Sequence, residues 1–250
     1  MTHIVAGYPD LKTSEKLALL MADNGADFVE IQIPFSDPVA DGTTIMQANQ
    51  KSLDGGTKVE DCFELMEKVT KEKAAGKTQF LFMTYFNIVH HYGIEKFCKK
   101  AAQCGCYGLI VPDMPIDEEP QEKYLENCKK HGLKAVQVIS PLTPERRLKM
   151  IAKAAEGLVY CVSKFGTTGQ TSELNPKLSS YLKKAKKYID VPLAVGFGIS
   201  TKAHVEAIWK EAEIAVIGSK IINIFNESGG DLKVVQKFLQ ELNSYTYRSS

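Results

Sequence analysis

One pattern repeats along the chain: a short apolar, β-branched run, a loop carrying Gly, Pro or Asp, and then apolar residues at helical spacing. Period-two runs of Val, Ile and Phe suit strands, and stripes of period 3.6 suit helices with one buried face. The runs predict strands at 3–5, 28–33, 79–83, 108–111, 134–139, 158–162, 192–195 and 214–217. Between and after them the stripes predict helices near 14–24, 59–71, 94–103, 118–130, 144–154, 176–187, 201–211 and 232–243. Thr143-Pro144 and Asn175-Pro176 each place a capping residue before a proline that fits the first helical position. Gly25, Gly105 and Gly132 fall where helices should end.

Strands alternating with helices imply a parallel sheet, and eight such units in 250 residues fit an α/β fold, a (β/α)₈ TIM barrel formed as a single domain over 1–250. An open doubly wound sheet is the competing architecture. No linker or low-complexity stretch divides the chain. A barrel places its chemistry at the C-terminal ends of strands and in the loops that follow. Glu30 and Asp41 fall there after the second strand, Tyr85 and Asn87 after the third, Asp113 after the fourth and Tyr160 near the end of the sixth.

The segment 28–42 reads Phe-Val-Glu-Ile-Gln-Ile-Pro-Phe-Ser-Asp-Pro-Val-Ala-Asp-Gly. Its first half alternates as a strand, Pro34 cannot donate to a sheet ladder, and Pro38 and Gly42 mark a loop. A Glu among apolar strand residues is costly to bury unless it is paired or functional. The plain alternative is a Glu turned to solvent or paired with Lys.

Late in the chain three glycine-bearing segments follow predicted strands: Gly166-Thr-Thr-Gly169, Gly196-Phe-Gly198-Ile-Ser200 and Gly218-Ser219. Glycine lets backbone N–H groups approach a ligand, and a helix N-terminus favours an anion, so these segments are candidates for a phosphate. Tight turns without a ligand are the plain alternative. Gly196-Phe-Gly198 lacks the third glycine of a dinucleotide fingerprint, and there is no Walker A sequence.

Composition narrows the classes. A net charge of +1 gives no electrostatic footprint for nucleic acid or an anionic membrane, and no apolar run is long enough to span a bilayer. The N-terminus lacks the basic and apolar regions of a signal peptide, so a cytoplasmic protein is expected. Six cysteines without zinc-site spacing are expected to be reduced and structural, with no metal. His90-His91 is expected in a surface loop, His131 and His204 on solvated helix faces, and the runs Lys68–Lys77 and Lys183–Lys187 on exposed helices.

The motifs together resemble one family. Val-Glu-Ile-Gln-Ile-Pro-Phe-Ser-Asp-Pro-Val-Ala-Asp-Gly, Leu109–Pro115 (Leu-Ile-Val-Pro-Asp-Met-Pro), Gly-Phe-Gly-Ile-Ser and Ile-Gly-Ser are similar to the signatures of tryptophan synthase alpha chains. The resemblance covers essentially the whole chain. It implies a lyase that cleaves indole-3-glycerol phosphate to indole and glyceraldehyde 3-phosphate in the cytoplasm. It also implies a pyridoxal-phosphate-dependent beta chain as partner in an α₂β₂ heterotetramer, and no cofactor on this chain. Residue by residue, it makes Glu30 the acid–base group and Asp41 the acceptor of the indole N–H. Tyr85, Tyr160, Phe197 and Thr168 line the substrate pocket, Thr168 from a closing loop. Gly169, Gly198, Gly218 and Ser219 meet the phosphate, and Ser36, Asp37 and Pro38 lie near the beta-chain interface.

The sequence departs from that family in four places. The first strand begins beside Met1, so the family's N-terminal helix is expected to be missing. His3 stands where many relatives carry a Phe; it is expected to face the indole near Glu30, neutral against the ring although the carboxylate pulls the other way. Gln32 replaces a Gly and Thr43 a Pro. The rival readings are another phosphate-binding barrel, such as a sugar-phosphate isomerase, and a scaffold that activates a beta chain with little catalysis of its own.

Overall fold

The computed structural model describes residues 1–39, 41–72, 77–162, 175–196 and 198–243. Eight parallel strands lie side by side in chain order: β1 (Thr2–Val5), β2 (Phe28–Gln32), β3 (Gln79–Met83), β4 (Gly108–Ile110), β5 (Lys134–Ile139), β6 (Val159–Val162), β7 (Leu193–Gly196) and β8 (Ile214–Val216). The sheet closes on itself: His3 N donates to Ile217 O at 3.1 Å, and Ile217 N donates to Met1 O at 3.0 Å. The closure decides for the barrel and against an open sheet.

Around it run α1 (Leu11–Asp23), α2 (Thr43–Asp54), α3 (Val59–Glu72), α4 (Phe86–Tyr92), α5 (Ile94–Gln103), α6 (Glu119–Glu122), α7 (Tyr124–Lys130), α8 (Glu145–Ala154), α9 (Pro176–Lys186), α10 (Lys202–Trp209), α11 (Ser219–Glu227) and α12 (Leu232–Asn243). Among the described residues no helix is long and apolar enough to cross a membrane.

Strand parity sorts the core into two layers. Val29, Ile31, Phe80, Phe82, Leu109, Ala135, Val159, Leu193 and Val195 pack outward against the helices. Leu81, Met83, Ile110, Val136, Leu158, Ala194 and Val216 form a second cluster inside the barrel. Glu30 shares its register row with His3 and Leu81, and Gln32 shares one with Val5 and Met83, so both polar residues of β2 point inward. The alternation that makes Val29 and Ile31 good core residues is what turns Glu30 into the barrel.

Three helices were not anticipated. α2 buries only Ala48, Asn49 and Ser52, so it carries no apolar stripe to read. α4 is seven residues long and contains His90 and His91, which are exposed in its last turn and not in a loop. α11 follows β8 so closely that its apolar face (Ile221, Ile222, Phe225) was absorbed into the expected loop. The helix expected at 118–130 is broken at Lys123, whose φ of 53° is left-handed. Glu119 then accepts from Leu125 N and Glu126 N at 2.7 and 2.9 Å, satisfying the start of α7. Asn175 caps α9 as expected, accepting from Lys177 N at 2.9 Å, whereas α8 starts one residue late at Glu145 with Pro144 as its cap. His204 is buried, not solvated, and sits 3.4 Å from Ser200 N; His131 is half-buried, with a buried Nε2.

All six cysteines are buried free thiols. Cys98 and Cys128, distant in sequence, bring their Sγ atoms to 3.8 Å.

Candidate active site

Polar side chains from β1 and β2 meet inside the barrel. His3 on β1 and Glu30 on β2 are 4% and 2% exposed, and His3 Nδ1 lies 3.0 Å from Glu30 Oε1. When Glu30 is ionised its oxygen only accepts, and Nδ1 is then the donor. Burying an ionised carboxylate without partners is prohibitive, and this bond answers for one oxygen. Glu30 Oε2 and His3 Nε2 are both buried with no partner among the described residues. Burial opposes charge on His3, yet the charge and hydrogen bond of Glu30, helped by Asp41, outweigh it and raise its pKa above 6.5. The carboxylate's pull on His3, expected from the sequence, thus outweighs burial by the protein itself. His3 is not frayed at the chain end; it is held within the barrel.

Asp41 approaches the same cluster from the loop after β2. Gln32, fully buried, donates Nε2–H to Asp41 Oδ2 at 2.7 Å. Asn49, 1% exposed on α2, points Nδ2 at the same oxygen from 3.5 Å and accepts from Phe35 N at 3.0 Å. It thereby ties the loop to the helix beyond it. Burial pushes the Asp41 carboxyl up; hydrogen bonds from Gln32 and Tyr85 and the charge of His3 pull it down, Glu30 pushes it up, and the net direction is up. Sequence reasoning missed Asn49 because α2 was not anticipated. A polar residue at helical spacing from Ile45 and Ser52 was the available signal.

Tyr160 faces these carboxylates from β6. Burial, then the charges of Glu30 and Asp41, raise its phenol well above the usual value, so it stays protonated. A side chain at Gly196 would put its Cβ 2.7 Å from the Tyr160 hydroxyl, so the bare backbone there makes room for the ring. Tyr85 is buried at the end of β3 and stacks on Phe35, with centroids 4.9 Å apart. Asp113 lies outside the cluster: it is exposed and accepts from Phe86 N at 2.8 Å, at the start of α4. Asn87 is exposed on α4.

Gly198 follows β7, and Gly218 caps α11, whose first residue is Ser219, after β8. A Cβ at Gly218 would lie 3.4 Å from His3 Cβ, so the α11 N-terminus abuts the His3–Glu30 pair. Thr168, Gly169 and Phe197 lie outside the described residues. Chemically, the arrangement offers a half-satisfied inward carboxylate, a second carboxylate fixed by amides, an apolar far wall and a helix N-terminus. A separate cavity of about 280 Å³ lies between the ends of β4 and β5 and α8, near Pro115, Gln137 and Arg147. It contains neither carboxylate and has no part in this chemistry. Among the described residues no group of three metal-ligating side chains converges.

The sequence matches the family described as tryptophan synthase alpha chain over residues 1–248. It is 42% identical to the tryptophan synthase alpha chain of Syntrophotalea carbinolica, covering 97% of this chain and 93% of that one. The fold is similar to a chain of the tryptophan synthase complex of Pyrococcus furiosus, with a TM-score of 0.87 at 30% identity over 98% of this chain and 97% of that one. It is equally similar to a chain of tryptophan synthase from M. tuberculosis in the open form, with a TM-score of 0.86 at 28% identity over 97% and 90% of the two chains.

Proposed function

We propose roles for single side chains from one premise: the chain belongs to the tryptophan synthase alpha chain family, whose reaction is the retro-aldol cleavage of indole-3-glycerol phosphate to indole and glyceraldehyde 3-phosphate in tryptophan biosynthesis. Glu30 is the acid–base group. Its carboxyl proton goes to indole C3, which becomes tetrahedral. The carboxylate left behind takes the proton of the glycerol hydroxyl as the carbon–carbon bond breaks and its electron pair returns to the ring. One proton has moved from oxygen to carbon, and Glu30 ends as it began. Asp41 accepts the indole N–H and stabilises the positive charge that grows on the ring. Tyr85, Tyr160 and Phe197 line the pocket, and Thr168 belongs to a segment that closes it.

The observation that carries this reading is the inward Glu30, buried with Oε2 unpartnered among the described residues. A buried acceptor left open in a barrel interior is a place for a substrate hydroxyl or a carbon to be protonated. The apolar wall of Leu81, Met83, Ile110 and Val136 suits an aromatic ring. Gly198, Gly218 and Ser219, with Gly169, receive the phosphate on backbone N–H groups. The chain acts as one barrel domain in the cytoplasm. It passes indole to a pyridoxal-phosphate-dependent beta chain in an α₂β₂ assembly, with Ser36, Asp37 and Pro38 near the contact. The solved complex of a relative supports a beta-chain partner.

The test supplies indole-3-glycerol phosphate to the purified chain, alone and with a beta chain, and follows both products. Equal amounts of indole and glyceraldehyde 3-phosphate are expected. No cleavage under either condition contradicts the roles and leaves a scaffold.

A further inference from the structure

We infer that His3 is a positioning residue for Glu30: the two form a buried dyad in which the imidazole fixes one carboxylate oxygen and leaves only the other to the substrate. The inference rests on Glu30 being the acid–base group.

Three observations converge on it. His3 and Glu30 are register partners on adjacent parallel strands, so the barrel itself sets their side chains next to each other on the inner face. Nδ1 and Oε1 meet at 3.0 Å while Oε2 and Nε2 are buried without partners among the described residues, which splits the pair into a bonded half and an open half. A Cβ at Gly218 would stand at ordinary contact distance from the His3 ring, 3.6 Å from Cγ and 3.7 Å from Cδ2, so the start of α11 lies beside the imidazole. A Phe in this place would supply area to an indole ring but no hydrogen bond to a carboxylate.

The consequence is electrostatic as well as geometric. Each time Glu30 gives its proton to carbon it becomes a carboxylate in a buried site. A charged His3 beside it stabilises that carboxylate at the moment it forms. The dyad therefore has a working range in which His3 holds its proton. That range extends above the ordinary histidine value, since Glu30 raises the pKa of His3. The groups facing His3 are Glu30 from β2 and Asp41 from the loop beyond it; β8 and α11 present the uncharged Gly218 backbone. Tyr160 faces the same carboxylates from β6 as a neutral phenol. The Met1 amine, lowered to about 6 by burial, also feels Glu30 and titrates in the working range. Because these groups are shared by wild type and variants, the difference between their profiles reports His3.

The experiment records kcat and KM for indole release against pH in wild type, His3→Phe, His3→Gln and Glu30→Gln. Wild type is expected to lose activity on the alkaline side as His3 gives up its proton, and neither His3 variant should show that limb. His3→Phe should lower kcat by about tenfold with KM little changed, the size of one hydrogen bond to a charged group. His3→Gln keeps a donor without a titration and should recover most of that loss. Profiles of His3→Phe and His3→Gln that superimpose on wild type in shape overturn the dyad while Glu30→Gln stays inactive. If His3→Phe does not fold, the limb in His3→Gln decides: its loss supports the dyad and its persistence overturns it. Wild-type turnover in Glu30→Gln is a different failure, that of the acid–base assignment itself.

Discussion

Gln32 donates to Asp41 across 2.7 Å, joining the inward face of β2 to the loop that follows it. Of the two carboxylates, then, each is held by a neighbouring side chain, Glu30 by His3 and Asp41 by Gln32.

Gln32→Leu keeps the volume and removes the donor. The Gln32 bond pulls the Asp41 carboxyl down against burial, so its loss lets that carboxyl rise further. The acidic limb of kcat/KM should therefore move to higher pH, and kcat/KM at neutral pH should fall about tenfold, as for a hydrogen bond to a charged group. Gln32 Oε1 is itself buried with no partner among the described residues, so replacing the amide by an apolar group need not lower the melting temperature. A pH–rate profile identical to wild type shows that the bond does not set the state of Asp41.

The His3–Glu30 pair also makes stability depend on pH. His3 has a folded pKa raised above 6.5, through the charge of Glu30 overcoming burial. Its contribution is fully present below the unfolded value and is lost as pH rises through the folded one. Urea midpoints of wild type and His3→Phe, compared at about pH 6 and about pH 9, should show a wild-type advantage that shrinks at the higher pH. An advantage that stays constant or grows contradicts the linkage.

The anion site is tested at Gly218. Gly218→Asp places a carboxylate at the cap of α11, where a Cβ meets only His3 at 3.4 Å, so the barrel should fold. The added negative charge should weaken inorganic phosphate binding by at least ~10-fold in titration calorimetry. Unaltered affinity puts the phosphate elsewhere.

The barrel was legible because its signals are local. The eight apolar runs had the right length and spacing, and every strand end fell within one residue of its place. Glu30 stood out as a charge in a core strand. What escaped lies in features that sequence periodicity does not carry. α2 packs through Ala48, Asn49 and Ser52, so no stripe announced it, and Asn49 was lost with it. The break at Lys123 is a backbone conformation with no glycine to mark it. The Cys98–Cys128 approach and the burial of His204 depend on which helices become neighbours. For His3, proximity to Glu30 followed from the strand register, but the direction of its charge balance needed the 3.0 Å contact.

The central claim is that Glu30 moves the proton that breaks the carbon–carbon bond. Glu30→Gln keeps the shape of the side chain and cannot carry a proton. Indole release from indole-3-glycerol phosphate should fall by at least ~10²-fold, the lower range for a general acid–base group, with substrate affinity little changed. Turnover near that of the wild type would contradict the account.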